Sequence, residues 1–360
     1  MVFNPKFVSS LISNIFPTLR KTQVANLALS IYGQINSQSA VMSEIVREVP
    51  GAVKHKHRLK RLWRFVSNPR VKPERLFEYW IPWCVSHFAK GKYVSVALDW
   101  TTLKGNNQCL VASLVYRGRA IPLIWQIVKY SNIRDSQNRI EQRLISRLIN
   151  LLPKGRRLIL MADRGFGRAT LFNFLISKGI LFAIRVKSDV RVYPQNGKAF
   201  KLTTLAKKLL PERIVWFENI AYRDDGAVGS INLASTVALG SSDPWFIVTN
   251  LRSGKSATTR YAQRFQIEEG FKDTKHPLGF DRIQTHNLTR IRRLFLITAI
   301  SQAFLLLVGQ TAWRMKSVRE KVIQSTASSC SRLWFGIQII KHHLLGQPFW
   351  SRVRLAALGP

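Results

Sequence analysis

Two short apolar runs, each ending in an aspartate, constrain this chain more than any other feature. VSVAL (94–98) leads into Asp99, and LILMA (158–162) leads into Asp163. VSVAL is rich in strand formers, and LILMA is a brief, wholly apolar run of the kind that belongs to a strand in the middle of a sheet. A carboxylate at the end of such a strand loses hydration and stays charged only beside a cation. Acidic residues are scarce, 19 Asp+Glu against 56 Lys+Arg, a formal net charge of +37. Either aspartate alone reads equally well as a loop cap. Two at strand ends in so basic a chain point to a metal site.

The surrounding segments supply an α/β frame. CLVASLVY (109–116) and IPLIWQIV (121–128) follow VSVAL after the turn signals Lys104-Gly105-Asn106-Asn107 and Arg117-Gly118, which predicts an antiparallel three-strand meander. Residues 135–152 read as a helix with Ile140, Leu144, Leu148 and Leu151 on one side. LILMA, a helix at about 168–178 and the strand ILFAIRV (180–186) follow. Three strands, helix, strand, helix, strand is the order of an RNase H-like core. Residues 189–250 read as a β-rich insertion. The pattern is helical from Ala257 to His276-Pro277, and a long apolar helix over about 288–312 packs back. Its most apolar part, Leu294–Val308, contains Thr298, Ser301 and Gln302. It falls short of the roughly 20 apolar residues a membrane span needs, so it reads as a buried helix.

Before the first strand, Val24/Leu27/Ala28/Ile31, Met42/Ile45/Val46/Val49 and Leu59/Leu62/Trp63/Val66 each mark one face of a helix. The third carries Arg58, Arg61 and Arg64, with Lys56 and Lys60, off its apolar stripe, as in a helical DNA-binding module. The expected units are a helical DNA-binding domain at 1–90, core at 91–188, insertion at 189–250, core again at 251–312 and a short helical C-terminal region at 313–360. So large a positive charge calls for a polyanion, and duplex DNA, with about one charge per 1.7 Å of axis, is the leading partner. Three well-separated cysteines exclude a disulfide scaffold. With no secretory signature, the expectation is a cytoplasmic, nucleoid-associated protein without a membrane. Gly165-Phe166-Gly167 lacks the third glycine of a dinucleotide fingerprint.

A third carboxylate follows from helix geometry. At about 100° per residue, Tyr261, Arg264, Glu268 and Lys275 share one narrow stripe, with Glu269 about 100° away. A stripe of Tyr, Arg, Glu and Lys suits a site where Glu holds metal and the others hold phosphate. The plain alternative is an exposed helix with Arg264–Glu268 and Glu268–Lys272 ion pairs.

TRYAQRFQIEEGFKDTK resembles the signature of the DDE transposases of insertion sequence family four: Tyr, two residues, Arg, three residues, Glu, six residues, Lys. VALDWT and LMADRGFGR look like that family's two aspartate regions, and the chain is similar to the transposases of the Tn-five and Tn-ten elements. The resemblance covers about residues 90–312. It implies that Asp99, Asp163 and Glu268 are catalytic and hold two Mg²⁺ ions, with Mn²⁺ able to substitute. The implied reaction is cleavage at the terminal inverted repeats of an element and strand transfer into target DNA, by a homodimer on paired ends. Tyr261, Arg264, Lys275 and Lys272 would contact DNA, Arg185 and Lys187 would grip the end, and Trp245 would receive a displaced nucleotide on a hairpin route. The competing readings are a non-catalytic DNA-binding relative and another RNase H-like nuclease.

Overall fold

A computed structural model describes residues 3–133, 136–195, 197–222, 231–323 and 330–358. The chain opens with five helices: α1 (Pro5–Ile15), α2 (Lys21–Ser37), α3 (Met42–Arg47), α4 (His55–Ser67) and α5 (Pro73–Phe88). The three helical patterns read from the sequence are α2, α3 and α4. α1 starts where the Asn4 side chain accepts a hydrogen bond from the Phe7 amide at 2.9 Å, with Pro5 in the first turn. Gly33 of α2 is required by close packing, since a Cβ there would lie 2.3 Å from the carbonyl oxygen of Ile45 in α3.

The meander is β1 (Tyr93–Leu103), β2 (Asn107–Tyr116) and β3 (Arg119–Lys129). Its second turn is the two-residue pair Arg117 (φ 47°) and Gly118 (φ 81°), the doubly left-handed geometry that matches strand twist. Next come α6 (Gln137–Leu151), β4 (Arg157–Ala162), α7 (Ala169–Ser177) and β5 (Leu181–Arg185). The first residue expected for α6, Asp135, lies outside the described residues.

The β-rich stretch forms β6 (Arg191–Pro194), β7 (Phe200–Lys201), α8 (Leu202–Ala206), β8 (Val215–Tyr222), β9 (Ile231–Thr236) and β10 (Trp245–Thr249). These strands continue the first sheet, in the order β3-β2-β1-β4-β5-β10-β9-β8-β6-β7 among the described residues. β1, β4 and β5 are parallel, and β10 returns antiparallel to β5.

The rest is helical: α9 (Gly254–Ala262), α10 (Gln266–Lys275), α11 (Leu288–Trp313), α12 (Lys316–Val322), α13 (Arg332–Lys341) and α14 (Gln347–Leu358). α11 is long and apolar enough to cross a membrane, yet 94% of its most apolar window is buried inside the protein. Three of its buried polar residues reach partners on neighbouring elements. Thr298 and Ser301 bond the Gln34 side chain of α2, and Gln302 donates to the carbonyls of Ala120 and Gly270. Arg293, 4% exposed, donates to the carbonyls of Val66 and Val71 and so fastens the end of α4 to α11. The larger of two hydrophobic clusters runs from Phe3 to Ala357, and the smaller includes Ala97, Met161, Tyr261 and Ile267.

Candidate active site

β1 and β4 run parallel with Leu98 opposite Ala162, and each reaches an aspartate at the next step. Neighbouring strands lie about 4.8 Å apart, so Asp99 and Asp163 leave the carboxyl edge of this pair side by side. The expectation that Asp99 ends its strand needs one correction. β4 stops, but β1 continues to Leu103 paired with β2 alone, because Trp100, Thr101 and Thr102 are good strand formers. Asp99 therefore marks where β1 parts from β4. Asp99 Oδ1 accepts from the Trp100 amide at 2.8 Å, and Asp163 Oδ1 from the Gly165 amide at 2.9 Å, capping a 3₁₀ turn at Arg164–Phe166.

Burial, then the charge of Asp163, raise the Asp99 pKa to about 6, against the pull of Arg264 and the Trp100 amide; Glu268 adds a smaller push. Asp99 thus feels both of the other carboxylates. Because the folded-state pKa is raised, protonated Asp99 favours the native state below the ordinary aspartate range, and this stability is lost as pH rises through about 6. Asp99→Asn should therefore be more stable than the parent protein at pH 8, by about 2–3 kcal/mol, with the advantage gone near pH 4. Denaturant unfolding at both pH values checks this, and an equal difference at both would contradict it.

The signature segment is not one continuous helix. α9 and α10 are separated by a 3₁₀ turn at Gln263–Phe265, yet Tyr261, Arg264 and Glu268 still touch in succession across it, the Arg264 guanidinium 5.8 Å from the Tyr261 ring and paired with Glu268. Tyr261 and Arg264 are buried. The Glu268 side chain is 48% exposed, and Lys275 is half-buried. The Arg264 guanidinium lies 4.4 Å over the Phe265 ring, with Nη2 2.7 Å from Glu268 Oε1 and Nη1 3.9 Å from Asp99 Oδ2. It stands as a cation between two of the expected metal ligands. Lys272 pairs with Glu269 at 2.6 Å, not with Glu268. Glu269 and Asp273 meet Arg119 at 3.1 and 2.9 Å, which ties α10 to the β2–β3 hairpin.

Of the remaining expected DNA contacts, Trp245 and Arg185 lie beside Tyr261 of the signature segment. Arg185, at the end of β5, pairs with Asp243 and donates to the Pro244 carbonyl at 2.9 Å, just ahead of Trp245; Lys187 is exposed. Trp245 lies edge-on to Tyr261 with centroids 5.0 Å apart, and stacks on Phe265 at 5.7 Å. In α4, Arg58 donates to the carbonyls of Val49 and Gly51 in the turn that follows α3, and Arg61 bonds Asn26. Arg64 is exposed. Two neighbours of the site went unread in the sequence. Phe265 is a 40%-exposed aromatic beside Arg264. Glu141 sits in register with Leu144, Ile145 and Leu148, an acid on an apolar helix face, which is a signal periodicity could have raised.

Among the described residues, no three His, Cys, Asp or Glu side chains converge closely enough to hold one metal ion. The donor chemistry still fits a hard divalent cation: Asp99, Asp163 and Glu268 offer only carboxylate oxygens, and the charges of Asp163 and Glu268 both act against an ionised Asp99. Residues 90–304, from just before β1 to within α11, match the family model described as a transposase DDE domain. Comparison with curated proteins finds no match.

Proposed function

We propose, from the premise that this chain belongs to the transposase DDE domain family, that it is an active DNA transposase of the insertion sequence family four type, with Tyr261, Arg264, Glu268 and Lys275 as its signature residues. The observation that carries this reading is the β1–β4 register, which sets Asp99 beside Asp163 beneath the Arg264–Glu268 pair. The strand order β3-β2-β1-β4-β5, with β1, β4 and β5 parallel and a helix in each crossover from β3 onward, supports an RNase H-like core.

Asp99, Asp163 and Glu268 would hold Mg²⁺, or Mn²⁺ in its place. When bound, the ions lower the barrier by acidifying the attacking hydroxyl and offsetting charge on the leaving oxygen. Water attacks the phosphodiester at an element end and frees a 3′-OH. That 3′-OH then attacks a target phosphodiester, with no covalent link to the protein. The Arg264 guanidinium leaves Glu268 for a backbone phosphate, for which its planar fork is suited. Lys275, Lys272, Lys187 and Arg185 add phosphate contacts. Trp245 and Phe265 form an aromatic surface on which a displaced base can stack, the requirement of a hairpin route. Arg61 and Arg64 of α4 meet DNA outside the site, two subunits pair the two ends, and the work is done at the bacterial nucleoid.

A second reading, a DNA-binding relative that does not cut, is favoured by one observation: Glu268 is held on Arg264 rather than gathered with the aspartates. Incubating the protein with duplexes carrying the repeats that flank its own gene separates the two. The enzyme cuts at the repeat boundary only when Mg²⁺ is present. Specific binding without cutting would establish the second reading, and preferential cutting of RNA would overturn both.

A further inference from the structure

We propose that Glu141 is a positioning residue that fixes the two aspartates relative to each other through one continuous hydrogen-bonded bracket. Glu141 lies on α6, is 0% exposed and touches neither aspartate. A buried carboxylate costs several kcal/mol unless donors compensate it, and a leucine would pack this face of α6 without that cost. The charge therefore calls for an explanation, and its partners supply one. Oε1 accepts from Trp100 Nε1 at 3.0 Å and from Gln137 Nε2 at 2.9 Å, and Oε2 accepts from the Arg168 guanidinium.

Two of these donors lead to the site. Trp100 follows Asp99 in β1, and its amide is the donor to Asp99 Oδ1 at 2.8 Å. The other terminal nitrogen of Arg168 donates to the Gly165 carbonyl at 2.5 Å, and the Gly165 amide donates to Asp163 Oδ1 at 2.9 Å. The path runs from Asp99 through Trp100, Glu141, Arg168 and Gly165 to Asp163 without a gap. It engages Oδ1 of both aspartates, and Asp99 Oδ2 is the oxygen turned toward Arg264. β1 and the loop after β4 part company at this level of the sheet, so strand pairing no longer holds the two carboxylates in register. The bracket takes over that task. Glu141 accepts from three donors through two oxygens, which a side-chain amide with a single oxygen cannot match opposite Arg168.

The inference rests on the metal-site reading above, so its test measures metal binding directly. Mn²⁺ affinity is measured by electron paramagnetic resonance on the full chain for the parent protein, Glu141→Gln, Trp100→Phe and Asp99→Asn, alongside binding to end DNA. Glu141→Gln should lose about 10–100-fold in Mn²⁺ affinity, as when a residue orienting metal ligands is removed. It should bind end DNA as the parent does and recover cleavage as Mn²⁺ is raised. Parent-like Mn²⁺ affinity in a folded Glu141→Gln protein would overturn the proposal. Where Glu141→Gln fails to fold, Trp100→Phe decides: it removes one donor and keeps the Glu141–Arg168 pair, and here too weaker Mn²⁺ binding supports the bracket while unchanged binding overturns it. Asp99→Asn separates the two levels. Unchanged affinity in that variant removes the metal site itself and the bracket with it. Lost affinity there, with none lost in the other two variants, removes the bracket alone.

Discussion

Glu268→Gln should abolish Mg²⁺-dependent cleavage of end DNA, by about 10²–10³-fold or more, while binding to the same ends stays close to that of the parent protein. The size follows from removing a charged group from a site built to stabilise developing charge, where loss of even one neutral donor costs this much. The selectivity follows from the surroundings. The Glu268 side chain is 48% exposed, its hydrogen-bonded partner among the described residues is Arg264, and glutamine keeps the shape and an oxygen for that guanidinium. Glu268 is the open member of the pair, and Asp99 remains near the buried Arg264 as a second counter-charge. Cleavage assays and end-binding titrations on one preparation read both quantities. Retained cleavage would remove Glu268 from the site, and loss of both activities would show that it holds the fold.

Gly309→Ala should destabilise the protein by about 1–3 kcal/mol or more, the cost of inserting a methyl group into a packed interior. α11 and α13 touch backbone to backbone here. A Cβ on Gly309 would lie 1.8 Å from the Arg332 carbonyl oxygen, and one on Gly336 would lie 2.2 Å from that of Leu305. Neither obstacle is a flexible side chain, so one helix must move. Gly346→Ala is the control, since its nearest neighbour is Pro348 Cδ at 3.9 Å. Denaturant midpoints for both variants check the prediction, and equal stability would mean that the two helices are not this close.

Much of this architecture can be read locally. The meander, LILMA and α11 announce themselves because apolar runs of strand or helix length are bounded by Gly, Asn or Pro, and the structure keeps each within a few residues. What escaped depends on distant partners. Trp100 to Leu103 continue β1 because β2 is there to pair with them. The β-rich stretch joins the main sheet because β10 finds β5, a register no local pattern encodes. The signature segment is the sharpest case. A stripe drawn at one constant angle per residue assumes an unbroken helix, and Gln263-Arg264-Phe265 contains no residue that announces a break. The 3₁₀ turn accompanies Arg264 reaching inward to Asp99 and Phe265, a tertiary demand written on other elements. Side chain, not spacing, separates Tyr261 and Arg264, which are buried, from Glu268, which is not. Residues 1–90 likewise read as a separate module, although Gln34 and Arg293 tie those helices into the same core as α11.

On the proposed mechanism, Arg264 must surrender Glu268 before three carboxylates can share divalent cations on DNA. Crystals of the protein with end DNA and Mn²⁺, measured at a wavelength where manganese scatters anomalously, test this most directly. The expected map has manganese in contact with Asp99, Asp163 and Glu268, and the Arg264 guanidinium on a backbone phosphate. Manganese bound elsewhere, with Glu268 still paired to Arg264 on correctly engaged ends, would contradict it.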